Sequence, residues 1–143
     1  MLNPLIQYPI KAVLWYQGES NTAKPLEYQD LLSTMIVDWR NKWNQKSLPF
    51  FIVQLANFME TKSEPAESNW AELREQQRKV SQTIPNIGLA VTIDIGEWND
   101  IHPLNKKEVG KRLSLLAEKI LFDKNIIADG PVYQSIKIGG NKI

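Results

Sequence analysis

With 143 residues the chain has the length of one domain, and its net charge of +1 comes from interspersed charges of both signs. That balance offers no basic stripe for nucleic acid and no polybasic segment for a membrane. The absence of cysteine excludes disulfide scaffolds, thiolate metal sites and cysteine nucleophiles, and a single histidine argues against a zinc site.

No apolar run reaches the roughly 18 residues of a membrane-spanning helix. Met1-Leu2-Asn3-Pro4 has neither the charged start nor the apolar core of a signal peptide. Lys11-Ala12-Val13-Leu14-Trp15-Tyr16 is a short apolar run that stops near Gly18, so it reads as a buried strand. Pro25 opens a helix, where proline is tolerated in the first turn. Tyr28, Leu31, Leu32, Met35, Ile36, Trp39 and Trp43 recur along it at three- and four-residue spacing and predict one buried stripe.

Phe50-Phe51-Ile52-Val53-Gln54-Leu55 predicts the second strand. A polar loop over 60–67 follows it. Ser68 or Asn69 caps a helix to about Gln82, with Glu72 early in it. Pro85-Asn86 breaks the chain, and Ile87-Gly88-Leu89-Ala90-Val91-Thr92-Ile93 predicts the third strand. After the loop 94–104, Asn105 and Glu108 form a capping pair. The helix behind them places Val109, Leu113, Leu116, Ala117, Ile120 and Leu121 on one face. Strands alternating with long helices mean β-α-β units and a parallel α/β sheet. Strands that are apolar throughout are covered on both faces. The tail is different: Ser135-Ile136-Lys137-Ile138 alternates like an exposed strand, and Gly139-Gly140-Asn141 reads as a turn.

Two polar segments fall beyond the carboxyl ends of predicted strands, where open α/β sheets bind ligands. The first is Gln17-Gly18-Glu19-Ser20-Asn21. It reads either as a polar capping turn with Gly18 for backbone freedom, or as an oxyanion site built from amides and backbone N–H groups. Glu19 suits a structural ion pair, with Arg74 as the expected partner. The second segment, over 94–104, holds His102, the only histidine. His102 is either a surface or capping residue or an acid–base catalyst oriented by Asp100, with Asp94 as a second candidate acid. Ser20 begins a Gly-x-Ser pattern, but Thr22 stands where the second glycine of a nucleophile elbow belongs.

Trp15-Tyr16-Gln17-Gly18-Glu19-Ser20-Asn21 and Asp100-Ile101-His102-Pro103 together resemble the third and fifth conserved blocks of the SGNH hydrolases, specifically the sialate O-acetylesterase group. Trp70, Leu73, Arg74 and Gln77 resemble a helix of the same group. Gly130-Pro131-Val132-Tyr133 resembles its junction to a C-terminal β-region.

The resemblance implies a three-layer α/β/α flavodoxin-like domain over 1–128, then a linker and first β-strand over 129–143. It implies a carbohydrate esterase that removes O-acetyl groups from sialic acid. An acetyl xylan esterase and a non-catalytic carbohydrate-binding remnant are the alternatives. His102 would be the base and Asp100 its orienter. Gln17, Gly18 and Asn21 would form the oxyanion and substrate loop, supported by Glu19 and Arg74. No metal or organic cofactor is implied. Trp15, Tyr16 and Trp98 suit sugar stacking, with core packing the more common reason for such aromatics.

Two departures stand out. No serine has the family's N-terminal Gly-x-Ser setting, and Asn99 occupies the position three residues before the histidine where the family's acid lies. The chain is therefore expected to be the middle-to-late piece of such a domain, inactive alone. The strand over 11–16 would be an uncovered edge through which it self-associates. A periplasmic or secreted setting is implied for the full-length protein.

Overall fold

The computed structural model describes residues 2–140. Its core is a parallel sheet in the order β1-β2-β3, formed by β1 (Val13–Tyr16), β2 (Phe50–Val53) and β3 (Ile87–Ala90). Register is continuous: Val13 stands beside Phe50, and Phe50 beside Ile87. Helix α1 (Tyr28–Lys42) connects β1 to β2, α2 (Asn69–Thr83) connects β2 to β3, and α3 (Lys106–Leu121) follows β3.

Alternation along β2 divides the core. Phe50 and Ile52 join Leu32, Ile36, Leu73 and Val80 of α1 and α2 on one face. Phe51 points the other way and packs with Ala90 and with Leu116 of α3. Two crossover helices on one face and a third on the other make the expected three-layer α/β/α arrangement. All four β2 side chains are buried, which explains why this strand carries no polar residue.

Each helix starts where the residues dictate. Pro25–Glu27 forms a 3-10 turn that leads into α1. The Ser68 hydroxyl accepts from the Ala71 N–H at the head of α2, so Ser68, rather than Asn69, is the cap. The Asn105 side chain accepts from the Glu108 N–H, as the sequence pattern predicts.

Three strand boundaries are corrected. β1 excludes Lys11 and Ala12, β2 stops at Val53, and β3 stops at Ala90. The cause after β2 is side-chain capture of its backbone. The Leu55 N–H bonds the Gln77 carboxamide, and the Thr92 hydroxyl donates to the Gln54 carbonyl. The expected strand over 135–138 does not form; these residues are exposed and have no neighbouring strand among the described residues. Of the predicted turn, Asn141 lies outside the described residues.

Candidate active site at the carboxyl edge of the sheet

Three loops leave the same edge of the sheet, one after each strand. The β1 loop begins at Gln17. Its side-chain N–H donates to the Asn21 carboxamide oxygen at 2.7 Å, so Gln17 and Asn21 are brought together. The Gln17 carbonyl is held twice, by the Tyr28 hydroxyl at 2.8 Å and by the Gln77 carboxamide at 3.2 Å. Burial raises the Tyr28 phenol above its ordinary pKa, which keeps it protonated as a donor. Burial, reinforced by the Glu19 carboxylate, likewise raises the Tyr16 phenol.

Gly18 is required where it stands. Its φ is +152°, and a Cβ there would meet the Leu73 side chain at 2.9 Å. Thus α2 presses directly on the turn that presents Gln17 and Asn21. Glu19–Asn21 is one 3-10 turn rather than the start of an α-helix. Ser20 is exposed within it, and no hydrogen bond joins it to His102 among the described residues. The strand–elbow–helix geometry of a nucleophilic serine is therefore absent.

The β3 loop carries the acid and the histidine. Asp100 Oδ1 accepts from the His102 backbone N–H at 2.7 Å and lies 3.7 Å from His102 Nδ1. Asp100 and His102 are brought together, but the second distance exceeds a hydrogen bond. The imidazole side chain is 86% exposed. Asp94 is engaged elsewhere: both its oxygens accept from the Arg112 guanidinium, at 2.6 and 2.7 Å. That fork holds the Asp94 carboxyl below its usual pKa and removes it as an orienter of His102.

The predicted Glu19–Arg74 ion pair is corrected. Among the described residues no ion pair joins them. Glu19 instead lines an open cleft, and burial lowers the Arg74 guanidinium.

That cleft, about 750 Å³, is walled by Glu19 and Thr22 of the first loop, Phe58 and Met59 of the second, Trp70 of α2 and Ile101 beside His102. Both predicted loops therefore border one space. The Lys106 ammonium sits 4.8 Å from the Tyr16 ring centroid, tying the start of α3 to the end of β1. Trp15 is core rather than sugar platform, since it packs edge-on against Trp39 at 5.9 Å. Trp98 is exposed within the histidine loop.

Gln77 is the residue whose part in holding the first loop the sequence concealed. It is fully buried, and it bonds the Leu55 N–H at 2.9 Å and the Gln17 carbonyl. Its place in the stripe Trp70, Leu73, Gln77, Val80 was the available signal, because a polar residue on an apolar stripe must find partners.

A parallel three-layer sheet with an amide loop and an Asp–His loop at one edge is the architecture of an SGNH-type hydrolase. A family model described as "Carbohydrate esterase, sialic acid-specific acetylesterase" matches residues 2–120, and the chain belongs to that family. It is 29% identical to the human sialate O-acetylesterase across 99% of its own length and 30% of the relative's. The mouse sialate O-acetylesterase is 30% identical, over 96% of this chain and 28% of the relative. The crystal structure of a carbohydrate acetylesterase from Xanthomonas citri superposes with a TM-score of 0.85 at 42% identity. That match covers 92% of this chain and 31% of the neighbour. A protein from Arabidopsis thaliana of known structure matches with a TM-score of 0.61 at 27% identity, over 80% of this chain and 45% of its own. The chain thus spans about 30% of the length of the curated relatives it matches.

Proposed function

We propose that this chain supplies the base and the amide loop of a carbohydrate O-acetylesterase acting on O-acetylated sialic acid. The observation that carries the reading is positional. His102 with Asp100, and Gln17 with Asn21, lie in loops that leave one edge of one sheet, and their loop neighbours Glu19, Thr22 and Ile101 line one cleft. In this reading His102 takes the proton of a serine hydroxyl as the oxygen attacks the acetyl carbonyl carbon. Gln17, Gly18 and Asn21 form the loop facing the developing oxyanion. His102 then gives that proton to the departing sugar oxygen, which leaves as the hydroxyl. It next takes a proton from the water that attacks the acetyl-serine carbonyl and passes it to the serine oxygen as acetate departs. The names of the relatives supply the sugar.

The serine is provided by a segment outside these 143 residues. The chain alone is therefore expected not to hydrolyse p-nitrophenyl acetate above an equimolar imidazole control, and the check is the initial rate of nitrophenolate release. Turnover by the chain that is lost in Ser20→Ala would contradict this assignment, because Ser20 would then be the nucleophile.

The domain boundary near residue 128 belongs to the same proposal, supported by a family match that stops at residue 120. So does self-association through β1. That strand is a sheet edge, and Leu14 on its α3-side face is 62% exposed. Light scattering is expected to give a mass above the 16.4 kDa monomer at high concentration. A monomer throughout would refute self-association without touching the esterase reading.

A further inference from the structure

The loop after β2 grips the loop after β3. The Asn57 carboxamide oxygen accepts from the Gly96 N–H at 2.7 Å. Two residues on, the Met59 N–H donates to the Trp98 carbonyl at 2.8 Å. At Gly96 the two loops touch so closely that a Cβ would lie 2.4 Å from the Asn57 carbonyl oxygen and 2.8 Å from the Ala56 Cβ. The gripping side is itself anchored: the Trp70 indole N–H donates to the Ala56 carbonyl at 2.7 Å, and Ala56 is buried. The gripped side continues at once into the site, because Glu97 and Asp100 pair as an antiparallel bridge and Asp100 accepts from the His102 N–H.

We infer that Asn57 is a positioning residue for His102, acting through Gly96 and the 97–100 turn. An imidazole that is largely exposed has few packing contacts of its own to fix it. Its placement must come from the backbone of its loop, and that backbone is fastened to α2 through the Asn57 clasp. The inference rests on the esterase reading only in naming His102 as the working base.

His102 is the only imidazole in the chain, so its ring signals in a 1H–13C correlation spectrum are unambiguous. In Asn57→Ala the Cε1–H resonance is expected to move and its relaxation to report a more mobile ring, with the far-UV circular dichroism unchanged. Asn57→Asp, which keeps an acceptor oxygen for the Gly96 N–H, is expected to return the resonance to its wild-type position. If Asn57→Ala does not fold, Asn57→Ser, which shortens the reach of the acceptor, carries the same expectation.

In the longer, active protein the expected cost of Asn57→Ala is about tenfold in kcat with KM little changed, the size of a small misplacement of a catalytic group. A His102 signal unmoved by loss of the Asn57 acceptor would overturn the inference, as would failure of Asn57→Asp to restore it. A moved signal in a protein whose turnover survives His102→Ala would leave the clasp standing and remove the esterase reading.

Discussion

Replacing Gln77 with leucine is expected to lower the stability of the chain by about 3 kcal/mol and its Tm by roughly 10 °C. The two side chains have similar volume, so packing alone predicts little change. Hydrogen bonding decides the outcome. Gln77 is 0% exposed, and its carboxamide oxygen is the partner of the Leu55 N–H just beyond the end of β2. Leucine leaves that buried N–H unsatisfied, a cost of about 1–3 kcal/mol, and also removes the donor to the Gln17 carbonyl. Against a total stability of about 5–15 kcal/mol this is a large fraction. Urea denaturation with an unchanged m-value checks it. A variant within 0.5 kcal/mol of wild type, on the order of an ordinary surface change, would contradict the pinning role.

The same substitution has a local consequence. Gln77 and Tyr28 hold one carbonyl, that of Gln17, from two helices. The loop that presents Gln17 and Asn21 is therefore fixed by the hydrophobic layer of α1 and α2, and core packing and site geometry are not separable here. Gly18 makes the same point from the other side, because Leu73 of α2 occupies the space any side chain there would need.

The sequence carried the architecture because its signals are local. The apolar run Phe50-Phe51-Ile52-Val53 is a strand buried on both faces, and the caps Ser68 and Asn105 each bond a backbone N–H three residues ahead. The strand ends were misplaced because they are set at long range. Leu55 leaves the ladder for a side chain on α2, a contact between residues 22 apart in sequence.

The candidate site was legible as two polar clusters, and it stayed illegible as a structure. The bond of Asn57 to Gly96 spans 39 residues and leaves no periodicity to detect. The Glu19–Arg74 pair was inferred from complementary charge, which says nothing about reach. Asp94 and Arg112, with the same complementarity, did meet. The alternation over 135–138 expressed a capacity to pair, and a strand forms only where a neighbour stands.

The second large effect concerns His102. In the proposed longer protein that would hold this chain together with its nucleophile, His102→Ala is expected to reduce kcat by about 10³–10⁴-fold, the contribution of a positioned general base. KM is expected to change little. A group that acts only as the proton moves lowers kcat and kcat/KM together. Stability should be nearly unaffected, since an exposed side chain is removed and the Asp100 bond goes to the retained backbone N–H. The direct measurement is acetate release from an O-acetylated sialic acid by the wild-type protein and by His102→Ala, at matched Tm. Loss of at least three orders of magnitude in kcat is expected, and turnover within tenfold of wild type would contradict His102 as the base.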